Sequence, residues 1–174
     1  MANVTIHESE MTFGPFPDQL IFHIENSSVY QKHLCPNGIK TCEFLLRRKQ
    51  NILFVEAKKS CPNQIHADTP EEKKAKYYEY INDIVQKMRD SLNLYASMLL
   101  NCNENSELSQ GIHSTNLKDI SLVFVLVVKT AQPEWLEPFS NIMKAALDKE
   151  MRIWKIRHFL LLTEQQARAR NLVE

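Results

Sequence analysis

The sequence predicts an α/β fold, a three-layer α/β/α sandwich built on a mixed central sheet. Three observations carry that expectation. Residues 44–46 (Phe-Leu-Leu) and 52–55 (Ile-Leu-Phe-Val) are short apolar runs separated by a polar turn. Branched and aromatic runs this short, bounded by polar clusters, form strands, here an antiparallel hairpin. Residues 120–129, Ile-Ser-Leu-Val-Phe-Val-Leu-Val-Val-Lys, are almost continuously apolar, the pattern of a strand covered on both faces. Between them, residues 71–100 carry apolar side chains at helical spacing. A right-handed crossover through that helix makes the hairpin and the apolar strand parallel neighbours. With 174 residues, 44% hydrophobic and 24% charged, the chain can bury the core of one domain spanning 1–174.

The remaining elements follow in order. Residues 1–19 are polar around Phe13-Gly-Pro-Phe-Pro17 and read as an irregular lead-in. Leu20, Phe22 and Ile24 alternate with Ile21, His23 and Glu25, a short strand. Asn26-Ser27-Ser28 caps a helix reaching about His33, and Cys35-Pro-Asn-Gly38 turns the chain. After the hairpin, residues 60–68 form a loop. Thr69 then caps the long helix, with Pro70 in its first turn and Glu72 completing a capping box. Tyr77, Ile81, Ile84, Val85, Met88, Leu92, Tyr95 and Leu99 line its apolar face, with a bend expected near residues 91–93. Residues 101–118 are polar and loop-like. A helix over residues 134–151 uses Trp135, Phe139, Ile142, Met143, Ala146 and Leu147. Phe159-Leu-Leu-Leu162 is a last strand, and Thr163-Glu-Gln-Gln166 opens a terminal helix through a second capping box.

Composition narrows the function classes. Net charge is zero, which excludes nucleic-acid binding by bulk charge and leaves only local basic groups. No apolar stretch approaches the roughly 20 residues of a membrane helix, so no membrane association is expected. Met1 to Glu10 has neither the basic start nor the apolar centre of a secretory signal. Cys35, Cys42, Cys61 and Cys102 form no C-x-x-C pair and read as reduced thiols of a cytoplasmic protein. With three glycines, the chain has no P-loop and no dinucleotide-binding pattern.

The second strand of the hairpin ends in Glu56-Ala57-Lys58. A period of two puts Glu56 and Lys58 on one face, about 7 Å apart. A turn centred on Gln50 and Asn51 places Glu43 opposite Lys58 on that face. A one-residue slip would send Glu43 to the other side.

Glu43-x(12)-Glu56-Ala57-Lys58 on an apolar hairpin resembles the PD-(D/E)XK, restriction-endonuclease-like nuclease superfamily. The resemblance covers residues 20–129. Glu43 stands where the family more often has Asp, and Thr41-Cys42 replaces the usual Pro. The Gln-x-x-x-Tyr of the exonuclease branches is absent, since Asp90 follows Gln86 at that spacing. The resemblance implies a Mg²⁺- or Mn²⁺-dependent deoxyribonuclease. Glu43 and Glu56 would be metal ligands, with the Ala57 backbone carbonyl as a third. Lys58 would orient the attacking water. Glu25, at a strand-to-helix junction, is a candidate further ligand, with Glu8 and Glu10 behind it. Such chemistry fits oxygen-liganded Mg²⁺. DNA is the expected partner, and Arg47, Lys59, Lys73 and Lys74 are expected around the carboxylates to guide it. The alternative is an inactive member of the same fold that binds a protein, nucleic acid or a second copy of itself.

Overall fold

The computed structural model describes residues 2–63, 65–114 and 116–174. Met1, Gln64 and Thr115, which fall in the lead-in and the two polar loops, lie outside the described residues. The strands are β1 (Asn3–Glu8), β2 (Met11–Pro17), β3 (Ile21–Phe22), β4 (Phe44–Arg48), β5 (Asn51–Ser60), β6 (Ser121–Thr130) and β7 (His158–Thr163). The α-helices are α1 (Glu71–Leu99), α2 (Gln110–His113), α3 (Pro133–Ala146), α4 (Asp148–Ile153) and α5 (Glu164–Ala169). Strands β3 to β7 form one five-stranded sheet in sequence order. β3, β4 and β5 are antiparallel neighbours, whereas β5, β6 and β7 run parallel. The fold is therefore α/β with a mixed sheet, and α1 is the crossover between β5 and β6.

Alternation along the central strands builds two cores. Phe54, Leu122, Phe124 and Leu126 face α1, meeting Ile81, Ile84, Met88 and Leu92, with Phe139 and Met143 from α3. Phe54 stacks edge-on against Phe124 at 5.7 Å and Tyr95 at 5.8 Å. Phe44, Leu46, Val55, Val125 and Val127 face the other way. That second face is covered by a β-hairpin, β1–β2, through Ile6, Met11, Phe13 and Phe16, and by Ala167 and Leu172 near the C-terminus. Phe13 packs edge-on to Phe44 at 5.4 Å.

The irregular lead-in expected over residues 1–19 is thus two paired strands. Its period of two is interrupted by a register shift between Val4 and Ile6 and by Gly14-Pro15, which hides the pattern. Gly14 sits at φ +110°, and a Cβ there would lie 2.8 Å from the Val4 carbonyl oxygen, so no other residue fits. The expected helix after β3 is a 3₁₀ turn at Ile24–Asn26 followed by a π-helical segment at Tyr30–Leu34. Ser27 Oγ accepts from the Tyr30 N–H at 3.3 Å, and the Glu107 carboxylate accepts from the Ser28 N–H.

Other details also differ. The capping box at Thr69 does not form; Thr69 Oγ1 accepts from the His66 N–H instead, and α1 begins after Pro70. α1 runs unbroken through residues 91–93. The helix expected over residues 134–151 divides into α3 and α4 at Leu147, which is fully buried. The loop at 101–118 contains α2, whose Ile112 is buried. The Thr163 capping box forms as read, with Gln166 N–H to Thr163 Oγ1 at 3.2 Å and Thr163 N–H to Gln166 Oε1 at 3.1 Å.

A candidate metal centre at the end of β5

The hairpin register differs from the expected one by two residues. Phe44 pairs with Val55 and Arg48 with Asn51, so the turn is Lys49-Gln50, with Lys49 at φ 52°. The Glu43 N–H donates to the Val55 carbonyl at 3.0 Å, which continues the register and sets Glu43 beside Glu56 rather than opposite Lys58. A two-residue shift preserves the face. Glu56 and Lys58 pair with Leu126 and Val128, both in the α1-side core, and Ala57 belongs to the opposite core.

α1 closes the site from above. Ser91, fully buried, accepts the Cys42 N–H at 2.7 Å and donates to the Lys87 carbonyl at 2.7 Å. This pins the entry to β4 against the helix. Asp83 and Lys87, spaced i, i+4 with Ser91 after them, form a polar stripe along the edge of an otherwise apolar helix face.

Four carboxylates from four segments converge there. Glu8 ends β1, Glu25 sits in the turn after β3, Glu43 precedes β4 and Glu56 lies within β5. Oxygens of Glu8, Glu25 and Glu43 all lie within 4.8 Å of one another. Lys87 Nζ is 3.0 Å from Glu56 Oε1, 3.2 Å from Glu25 Oε1 and 3.6 Å from Glu43 Oε1. Lys58 Nζ is 3.1 Å from Glu56 Oε1 and 3.2 Å from Asp83 Oδ2, whose other oxygen is 2.6 Å from Lys40 Nζ. Glu56 is 0% exposed and Glu43 5%, and Glu43 Oε2 is buried with no hydrogen-bond partner.

The structure therefore brings Glu25, Glu43, Glu56 and Lys58 together. Glu8 joins them, whereas Glu10 pairs with Lys59 and Lys129 at the same hairpin tip. The Ala57 carbonyl accepts a hydrogen bond from Ser9 Oγ at 3.0 Å, which ties that tip to β5 and helps hold Glu8 in place. Lys87, Asp83 and Ser91 escaped sequence reasoning. Their signal was three polar residues at spacing four inside the apolar pattern of α1.

Burial and like charge dominate the electrostatics. Burial, then the neighbouring Glu56 charge, pushes the Glu43 carboxyl up to about 9. Glu56 is also raised, by burial opposed by Lys87 and Lys58. Glu8 is raised by burial and by Glu25. For Lys87, burial pulls the ammonium's pKa down, but Glu56, Glu43 and Glu25 outweigh it and the net shift is upward. Asp83 is held below the usual carboxylate range because hydrogen bonds from Lys40 and Lys58 overcome its burial.

The surroundings carry mixed charge. Of the basic groups expected around the carboxylates, Arg47 donates instead to the Gly111 carbonyl at 2.6 Å, Lys59 pairs with Glu10, and Lys74 with Glu71. Lys73 lines a cavity of about 470 Å³ with Pro62, Ile65 and Tyr77. A cavity of about 560 Å³ lined by Lys40, Lys76, Tyr80, Asp83 and Gln86 opens beside the Lys58–Asp83 pair. Among the described residues, no helix is long and apolar enough to cross a membrane.

Comparison of the chain with family models, with curated proteins and with solved structures finds no match. The chemistry of the site must stand on its own donors. Carboxylate oxygens alone suit a hard cation such as Mg²⁺ or Mn²⁺. The unpartnered Glu43 Oε2 is a buried acceptor of the kind such a cation satisfies. The residues present therefore fit a divalent metal.

Proposed function

We propose that this protein is a metal-dependent phosphodiester hydrolase acting on DNA, a nuclease of the restriction-endonuclease-like kind. The observation that carries the reading is the convergence of Glu8, Glu25 and Glu43 oxygens within 4.8 Å, beside the buried Glu56–Lys58 pair. Glu25 and Glu43 would hold the ion, with Glu8 completing the protein's share. When bound, it would supply Lewis acidity toward the phosphate and activate water. The chain's own residues do the rest. Lys58 Nζ, held by Glu56 and Asp83, donates a hydrogen bond to the attacking water and offsets charge developing on the phosphate. Glu56, with its raised proton affinity, would accept the proton that water gives up as the new P–O bond forms; the scissile P–O bond breaks, and the leaving oxygen takes a proton from solvent water. Lys40 and Lys76, which line the neighbouring cavity, would meet a flanking phosphate by exchanging their pairings with Asp83 and Glu72.

The test is cleavage of single- and double-stranded oligonucleotides by purified protein in Mg²⁺ or Mn²⁺ and in chelator. Cleavage is expected only with metal. Lys58→Ala should lower it by about 10²–10³-fold, the scale of one lost transition-state donor, while retaining metal binding. Glu56→Ala should lose cleavage and weaken metal binding. Metal-loaded, folded protein that cuts neither substrate would overturn the reading.

A second reading is an inactive member of the same fold serving as a binding module for protein or nucleic acid. The mixed-charge rim and the Lys87 ammonium among the carboxylates favour it. Metal-independent DNA binding without cleavage would select it.

A further inference from the structure

We infer that Lys87 is the internal counter-cation of the carboxylate cluster, occupying the charge-neutralising position of a divalent ion and lowering the protein's affinity for that ion. The inference rests on reading the cluster as a metal site and concerns how that site is loaded. Lys87 is the one cation that touches carboxylates from three separate segments, Glu25, Glu43 and Glu56, among the described residues. Lys58 reaches only Glu56 and Asp83. The Lys87 side chain is 15% exposed, against 23% for Lys58.

Charge balance explains why such a residue is present. Glu8, Glu25, Glu43, Glu56 and Asp83 face Lys40, Lys58 and Lys87. Without Lys87, the three carboxylates it contacts would retain only Lys58, which touches Glu56 alone among them. Like charges this close and this buried disfavour the folded state. An ammonium within 3.6 Å of all three offsets the charge of Glu25 and Glu43, the two carboxylates it shares with the candidate metal group. A divalent ion and an ammonium held by the same Glu25 and Glu43 would repel strongly in a partly dry site, so one disfavours the other.

The geometry also allows exchange. The Lys87 backbone is fixed in α1, where its carbonyl accepts from Ser91. The charge itself sits at the end of a flexible four-carbon stem. The ammonium can leave while the helix and the Ser91–Cys42 link stay in place. Metal entry is then a swap of one cation for another, with the carboxylates already gathered.

The test is calorimetric titration of Mn²⁺ into the full chain. Lys87→Met keeps the stem and removes the charge; it should bind Mn²⁺ at least tenfold more tightly than wild type. Lys87→Arg, which keeps the charge, should bind no more tightly than wild type. Lys58→Met should change the affinity by less than threefold. In chelator, Lys87→Met should melt below wild type, and saturating Mn²⁺ should close or reverse the gap. A purely structural role would lower stability without tightening metal binding.

Should Lys87→Met fail to fold, reductive ¹³C-methylation of wild-type lysines carries the test. The Lys87 resonance should move on Mg²⁺ titration as the ammonium leaves the carboxylates. Equal or weaker Mn²⁺ affinity in a folded Lys87→Met, or a Lys87 resonance unmoved at saturating Mg²⁺, overturns the inference while leaving metal-dependent cleavage standing. Absence of divalent binding in wild type and in every variant overturns both.

Discussion

Glu43 lies beside Glu56 with one carboxyl oxygen unpartnered and buried, and folding raises its pKa from 4.5 to about 9. Between those values the folded protein keeps a proton that the unfolded chain has released. Stability in the metal-free state must therefore fall as pH rises through that window. Glu56, raised as well, adds to the same slope. The upward shift of Lys87 has the same sign but lies higher: it contributes stability that is fully present below the ordinary lysine pKa and is lost as pH rises above it. In chelator, Glu43→Gln and wild type should melt together near pH 5. By pH 9 the variant should melt several degrees higher, on the scale of about 2–4 °C per kcal/mol for a chain of this size. Thermal scans across pH check this, and a gap independent of pH would contradict it. Ser91 gives a second residue-scale expectation. Ser91→Ala leaves the buried Cys42 N–H without its acceptor, costing about 1–3 kcal/mol in denaturant unfolding.

At the scale of elements, the hairpin β1–β2 does two jobs. Its apolar side covers Phe44, Leu46 and Val55, and its tip delivers Glu8 to the carboxylates. Phe13, fully buried against Phe44, joins both jobs. Phe13→Ala should cost about 3–5 kcal/mol, measured by urea unfolding, and should weaken Mn²⁺ binding in whatever fraction stays folded. This element was the least legible in the sequence. Gly14-Pro15 and the shift between Val4 and Ile6 break the alternation that would announce it. β5, α1 and β6 were legible because their apolar patterns are long and regular. Glu43, Glu56 and Lys58 were legible as one face because a strand's period survives an error of two residues in the turn. The turn itself was not, since nothing about Lys49 announces a positive φ. Lys87 was hidden for the opposite reason. A lysine in a helix rich in exposed charge reads as solvated, and only the spacing of Asp83, Lys87 and Ser91 separates it from Lys73, Lys74 and Lys76.

For the whole molecule, zero net charge and a rim of mixed sign limit how it would hold DNA under the proposed function. Lys59 and Lys74 are already paired with Glu10 and Glu71. Phosphate contacts should be few, drawn from Lys73 and from Lys40 and Lys76, which must first leave Asp83 and Glu72. Binding measured against salt in Ca²⁺ should give a log–log slope of about −2 to −3, that of roughly three phosphates on duplex DNA. A slope of −6 or steeper would require a basic track this surface does not have.

Anomalous diffraction from crystals of the full chain equilibrated with Mn²⁺ tests the metal centre directly. An anomalous peak is expected between Glu8, Glu25 and Glu43, within about 2.0–2.4 Å of their oxygens, as hard cations bind carboxylates. Lys87 Nζ should be displaced from its contacts with Glu25, Glu43 and Glu56. A well-occupied crystal with no peak among these carboxylates, and Lys87 still lodged between them, would contradict it.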